Sequence, residues 1–188
     1  MSDHGEEFHE HGGWWHGMTL YEEQIRVPVL VKWPKGDRRA PPDARGHVVG
    51  LLDVAPTLIA RSGARTPEAM QGVDLGLGAG ERPERNRLVF AEEDHEGNVL
   101  RAVRTETWKY IEATEGNPRG LETLELYEIS VDPTERRDRS GDPAVPVAEL
   151  RNHADAQERW AEAHSTQAEQ AQLSAAEEQA LRALGYVE

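Results

Sequence analysis

Apolar runs cluster in the first two-thirds of the chain, and their lengths and spacing predict its elements. Residues 1–18 show no usable period, and glycines at 5, 12, 13 and 17 oppose a regular helix, so an irregular loop is expected there. Residues 20–23 suit one helical turn. Residues 27–33 (VPVLVKW) are β-branched and almost continuously apolar, the pattern of a buried strand in a parallel sheet covered on both faces. A basic, Pro-rich loop follows over 34–45, then a short apolar run at 47–51 that suits a strand end. Asp53 can cap a helix over 54–62, with Pro56 tolerated in its first turn and Gly63 closing it. After a loop over 66–87, four strands are expected at 88–92, 99–104, 108–112 and 124–129. Their short turns make an antiparallel meander. From Pro146 onward the chain reads as helical. Ser174 and Glu177 match a capping box that opens a last short helix, ended by Gly185, and the Ala/Gln/Glu-rich stretch 161–172 reads as solvent-exposed.

Composition narrows the partners. A length of 188 residues allows one domain, or one with an appendage. With 37% hydrophobic and 30% charged residues the chain is polar for a compact domain. It therefore suits either long exposed helices or a piece of something larger. Lys and Arg total 21 against 35 Asp and Glu, a formal charge of -14, which repels phosphate backbones and argues against a nucleic-acid partner. An acidic chain can still take an anionic ester where a metal supplies local positive charge. The absence of cysteine removes disulfides, thiolate metal sites and a Cys-derived nucleophile from this chain. No stretch is long enough for a membrane span, and the start at Met1, acidic and His-rich, does not read as a signal peptide. The compartment stays open.

Candidate chemistry concentrates at the start. Asp3 and His4 are adjacent, an oxygen donor beside a nitrogen donor, with His16 downstream, and such pairs suit a divalent metal. Gly5 lets the backbone turn so that neighbouring side chains can converge. The simpler reading of an acidic, His-bearing loop is a solvated one. His9 fits that description, and His47, His95, His153 and His164 have no partner visible in the sequence.

The order of the residues adds a resemblance. The run SDHGEEFHEHGGWWHGMTLYEEQIRVPVLVKWP resembles a signature of the sulfatase family, within the alkaline phosphatase superfamily. LLDVAPTLIARSGARTPEAMQGVDL (51–75) resembles that family's D-x-x-P-T-L helix and the turn after it. LELYEISVDPTERRDRS (124–140) and LSAAEEQALRALGYV (173–187) resemble two later segments, so the likeness covers most of the chain in the family's order.

The resemblance implies a fold and a set of roles. The fold is α/β: the C-terminal part of an alkaline-phosphatase-like sandwich, followed by a small four-stranded antiparallel sheet with C-terminal helices. Residues 1–80 would be the tail end of the catalytic domain and 81–188 the sheet subdomain with terminal helices. Asp3 and His4 would be metal ligands, for calcium or, given His4, for manganese or zinc. His16 would be catalytic, standing beside the ester oxyanion or the metal where many family members carry lysine. A neutral imidazole there could also protonate a leaving alkoxide. His11 and the Tyr21–Glu22 pair would shape the loop, Trp14 and Trp15 would pack it, and Asp53 would serve as a helix cap.

The family's nucleophile is a formylglycine made from a C/S-x-P-x-R motif in an N-terminal half. None of Ser2, Ser62, Ser130, Ser140, Ser165 and Ser174 is followed by x-P-x-R. The expectation is a C-terminal fragment of a metal-dependent sulfatase, inactive alone, acting on a small sulfate or phosphate ester with the N-terminal half as a separate chain or as unread upstream sequence. Alternatives are a phosphodiester or phosphonate monoester hydrolase on the same scaffold, or a non-catalytic chain.

Overall fold

The computed structural model describes residues 1–32, 48–75, 87–95, 97–165 and 174–183, which divide into two compact units, Met1–Gln157 and Glu158–Glu188. The first unit opens on a two-residue antiparallel ladder, β1 (Glu7–Phe8) against β2 (Trp14–Trp15), inside the stretch expected to be wholly irregular. The reversal between them uses left-handed backbone at His9 (φ 76°) and Gly12 (φ 86°). One helical turn follows, α1 (Glu22–Ile25). A 3-10 turn at Leu51–Asp53 runs into α2 (Val54–Ser62), and Gly63 ends it at φ 82°, a conformation that glycine adopts without a Cβ penalty.

The meander forms as the short turns predict. β3 (Val89–His95), β4 (Asn98–Arg104), β5 (Trp108–Ala113) and β6 (Leu124–Glu128) pair antiparallel in that order. Register sorts the side chains, because successive residues face opposite sides of a sheet. One row across the sheet reads Phe90, Val103, Tyr110, Leu126. This row belongs to an apolar cluster that packs Leu150 and Ala154 of helix α3 (Val147–His164). The other face carries Leu100, Ala102, Ile111, Ala113 and Tyr127, covered by Leu20 and Tyr21 of the N-terminal segment. The sheet is therefore clothed twice, by a helix on one side and by the loop ahead of α1 on the other.

Two expectations fail here. Residues 27–32 form no strand, and Trp33 lies outside the described residues. Val29, Leu30 and Val31 stand 51%, 84% and 49% exposed. An inner strand needs hydrogen-bonded neighbours on its edges. Among the described residues this segment has no strand beside it, only the Ser2 amide donating to the Pro28 carbonyl at 3.4 Å. The apolar run at 47–51 gives way to the 3-10 turn instead of a strand end, with His47 outside the described residues.

Asp53 precedes α2 but does not cap it through its side chain. Its fully buried carboxylate accepts from the backbone amides of Gly50 (2.8 Å) and Val73 (2.9 Å) and from Arg87 Nη2 (2.6 Å). Burial alone would raise its pKa, but Arg87 and the two amides outweigh that and hold it below the usual carboxylate range. The M-Q-G-V-D-L turn is pinned beside it. A Cβ on Gly72 would come within 1.9 Å of the Leu52 carbonyl oxygen, and the Leu75 amide donates to Thr57 Oγ1 at 3.1 Å.

In the second unit Trp160 and His164 stack at 4.2 Å. The capping box forms at the head of α4 (Ala175–Ala183). The Ser174 amide and hydroxyl donate to Glu177 at 2.8 and 2.7 Å, and the Glu177 amide returns a longer bond at 3.4 Å. Residues 161–165 are exposed as expected. The rest of the 161–172 stretch and Gly185 lie outside the described residues.

Candidate metal centre

The N-terminal loop has two limbs, and one residue spaces them. The Gly5 amide donates to the Gln24 carbonyl at 2.7 Å, and the Gly17 amide donates to Gln24 Oε1 at 3.1 Å. Gln24 is itself buried, its Nε2 donating to Thr19 Oγ1 at 2.6 Å and to Glu7 Oε2 at 3.3 Å. Gly5 sits so close to α1 that a Cβ would stand 2.0 Å from the Glu23 carbonyl oxygen. The glycine after Asp3-His4 is therefore required by contact. His4 and Glu6 flank Gly5 on one limb, and His16 neighbours Gly17 on the other.

Held this way, His4 and His16 stack with ring centroids 4.0 Å apart and 25° between planes. Glu6 Oε1 lies 2.7 Å from His16 Nδ1. One donor atom from each of His4, Glu6 and His16 falls within 4.8 Å of the others. Two imidazole nitrogens and a carboxylate oxygen are a donor set that fits a divalent ion. Asp3 stands apart from this trio. Its carboxylate is 89% exposed, its Oδ1 accepts the His4 amide at 3.1 Å and lies 3.9 Å from His4 Nε2. The backbone amides of Asp3 and His4 hold its pKa below the ordinary value. Glu6 was missing from the sequence reading. Its only signal was a spacing of two from His4, which places residues on one side of an extended chain.

A buried polar layer fixes the loop on the sheet. Glu7, 1% exposed, accepts from the amides of Gly13 (2.6 Å) and His11 (3.2 Å) and from Arg119 Nη2 (3.1 Å). His11 bridges Glu23 Oε1 (2.5 Å) and the Glu135 carbonyl (3.0 Å) while stacking on Tyr21 at 3.8 Å. Burial disfavours its imidazolium, but Glu23 and the Glu135 carbonyl outweigh that and raise its pKa. Tyr21 and Tyr127 both donate to Glu125 Oε2, at 2.7 and 2.9 Å, and burial beside that carboxylate pushes both phenols up.

The Glu22 amide donates to Glu135 Oε2 at 2.6 Å, and Lys109 Nζ reaches Glu22 Oε1 (3.3 Å) and Glu135 Oε1 (2.8 Å). Lys109 and Glu135 have no exposed side-chain surface, and burial raises the Glu135 pKa against the pull of Lys109. Tyr21 and Glu22 thus anchor the turn. His9 stacks on Trp14 at 5.6 Å, and Trp14 and Trp15 stay largely exposed. A cavity of about 250 Å³ lined by Glu10, Glu22, Glu23, Arg26, Pro133, Thr134 and Arg136 includes neither His4 nor His16.

Residues 9–159, from the loop through the meander to α3, match the family described as N-sulphoglucosamine sulphohydrolase, C-terminal. The chain belongs to this family of sulfatase C-terminal domains. Among curated relatives, the domain is 28% identical over 149 residues to a Delta 4,5-hexuronate-2-O-sulfatase of Bacteroides thetaiotaomicron, covering 76% of this chain and 30% of that protein. It is 30% identical over 147 residues to mouse (Mus musculus) arylsulfatase K, covering 71% of this chain and 25% of that one. A solved structure from Bacteroides thetaiotaomicron that carries the sulfatase designation superposes with a TM-score of 0.65 at 26% identity, over 86% of this chain and 35% of that one. The domain therefore spans a third or less of its curated relatives' length. Among the described residues, no helix is long and apolar enough to cross a membrane.

Proposed function

We propose that this sulfatase C-terminal domain supplies the metal-side part of a site that hydrolyses a sulfate ester of a sugar. The observation that supports this reading most is the convergence of His4 and His16, 4.0 Å apart, on a loop clamped to a sulfatase-type meander. Asp3 and His4 are the residues the family resemblance assigns to the ion. Such an ion, when bound, offsets the negative charge of a sulfate group and of the oxygen atom that attacks it. The resemblance allows His16 a place beside the oxyanion or beside the ion, and its contacts with Glu6 and His4 favour the ion. The nucleophile comes from outside these 188 residues, which contain neither cysteine nor a serine followed by x-P-x-R. The sugar sulfate class follows from the hexuronate-2-O-sulfatase relative.

The test is an assay of the native gene product, purified from its source, on 4-nitrophenyl sulfate, a 2-O-sulfated unsaturated hexuronate and bis(4-nitrophenyl) phosphate. The DNA upstream of the Met1 codon is read in parallel for an in-frame C/S-x-P-x-R. Turnover of the sulfates with that motif present is the expected result. Preference for the phosphate diester would move the domain to phosphoryl chemistry, and turnover of none of them would make it non-catalytic.

A further inference from the structure

We infer that the cavity between α1 and the turn at 132–137 binds one sugar ring through an anionic group, held by Arg26 and Arg136, while the carboxylates of the cavity accept from the ring hydroxyls. The inference deepens the reading above, on which it rests for the sugar. The group recognised is an oxyanion, either the carboxylate of a hexuronate or a second sulfate on the ring.

Three separate parts of the chain build the walls. The helical turn α1 brings Glu22, Glu23 and, at its end, Arg26; the turn at 132–137 brings Thr134 and Arg136; the reversal between β1 and β2 brings Glu10. The second wall is locked. Asp132 accepts from the amides of Arg136 and Arg137, both at 2.9 Å, and its carbonyl accepts the Glu135 amide at 3.2 Å. Glu135 sits at φ 52°, left-handed backbone that is strained for a residue with a Cβ. It is kept there by Lys109, by the Glu22 amide and by His11 on its carbonyl. Strain of this kind persists only where the surroundings over-determine it, and it gathers at functional sites.

The acids of the cavity are answered inside the protein, and its bases are not. Glu22 meets Arg104 at 3.2 Å and Lys109 at 3.3 Å, Glu23 meets His11 at 2.5 Å, and Glu10 accepts the Phe8 amide. Arg136 gives Nη1 to the Glu10 carbonyl at 2.5 Å, which leaves Nε and Nη2 without a described partner. No described residue pairs with the Arg26 guanidinium. Two guanidinium groups with open donors thus meet at one cavity of a chain whose formal charge is -14. A guanidinium forks onto two oxygens of a carboxylate, or of a tetrahedral oxyanion, with two parallel hydrogen bonds. The paired carboxylates keep lone pairs for hydroxyl donors. At about 250 Å³ the cavity falls below the roughly 300–1,000 Å³ of drug-sized sites, which suits a single ring.

The experiment is an amide NMR titration of the purified 188-residue chain with glucuronate, glucose 6-sulfate and glucose. One or both of the anionic sugars should shift the amides of Glu10, Arg26, Thr134 and Arg136 saturably, and the tighter of the two names the anion. Glucose should bind at least about tenfold more weakly, because it offers the guanidinium groups no charge. Arg26→Gln should weaken the anionic sugar by about tenfold or more and leave the urea midpoint at the parent value, since Arg26 holds nothing else in place. Arg26→Lys should recover only part of the affinity, keeping the charge and losing the fork. In the native gene product, Arg26→Gln should raise KM for the 2-O-sulfated hexuronate about tenfold with kcat held.

Glucose binding as tightly as the anionic sugars, no saturable shift at these amides, or binding indifferent to Arg26→Gln would each overturn the assignment. The ester assay separates the two readings. Turnover of the sulfated hexuronate with KM unmoved by Arg26→Gln sinks only this site. An anionic sugar bound as expected, without turnover by the native product, sinks only the hydrolase reading.

Discussion

The two faces of the meander are built from the same four strands and do opposite work. On the α3 side the row Phe90, Val103, Tyr110, Leu126 meets Leu150 and Ala154, and the charged contacts stay at its rim: Arg101 to Glu112 and Asp155, and Arg151 to Tyr110. On the loop side, charges go inside. Lys109, Glu125 and Glu135 lie buried among Tyr21, Glu22 and Tyr127. Apolar contact is non-directional and tolerates sliding. Buried hydrogen bonds do not, because each group displaced from its partner is left unsatisfied. The α3 face is therefore suited to supplying stability, and the loop face to fixing the position of His4, Glu6 and His16.

This contrast can be broken most severely at Lys109. Lys109→Met takes from the buried Glu135 the cation it shares with Glu22, while Glu22 keeps Arg104 at 3.2 Å, and a loss of about 3–5 kcal/mol is expected in urea unfolding. Zinc affinity, as a probe of the ion site, should fall with it. Leu126→Ala, on the other face and fully buried, should lose about 2–5 kcal/mol by cavity formation, but zinc affinity measured well below the melting temperature should hold. If Leu126→Ala weakened zinc as much as Lys109→Met, the division of labour between the faces would be wrong. Gly5→Ala drives a methyl group against the Glu23 carbonyl and should cost about 1–3 kcal/mol, with zinc binding lost before the fold is.

The unequal legibility of the two faces has the same root. The meander that packs on α3 was readable because its strands are short runs closed by short turns, a signal local in the sequence. On the loop face, Glu7 meets Arg119 across 112 residues and His11 meets Glu135 across 124, separations at which no spacing rule operates. Asp53 looked like a cap because it stands one residue before a helix. Its partner Arg87 lies 34 residues on. Residues 27–33 looked like an inner strand because an apolar run signals what a segment could bury, and it is silent on whether neighbours are present.

The smaller effects sharpen the comparison through pH and capping. His11 has a folded pKa above its ordinary 6.5, so its contribution is complete below that value and is lost as pH rises through the raised one. Its partner Glu23 has a folded pKa below its ordinary 4.5, so its contribution is present above that value and lost as pH falls through the lowered one. The pair should therefore stabilise the loop face most between pH 4.5 and 6.5. Urea midpoints measured against pH should decline on the alkaline side, and His11→Gln should flatten that decline. Ser174→Ala should cost α4 about 1 kcal/mol or less, read as a small loss of helical circular dichroism, with neither face of the meander affected.

The bonds that seat the loop also set an order of events. The hairpins of the meander are local and can close soon after each strand is made. The contacts from Tyr21 to Glu125 and from Glu22 to Glu135 span 104 and 113 residues. Closures of that length are slow compared with hairpin formation. During synthesis, at about 5–20 residues per second, the histidine-bearing segment leaves the ribosome ahead of the meander and must wait several seconds for its seat. Over that interval its tryptophans and charged side chains are open to other contacts, and the trio is assembled after the meander although it is encoded ahead of it.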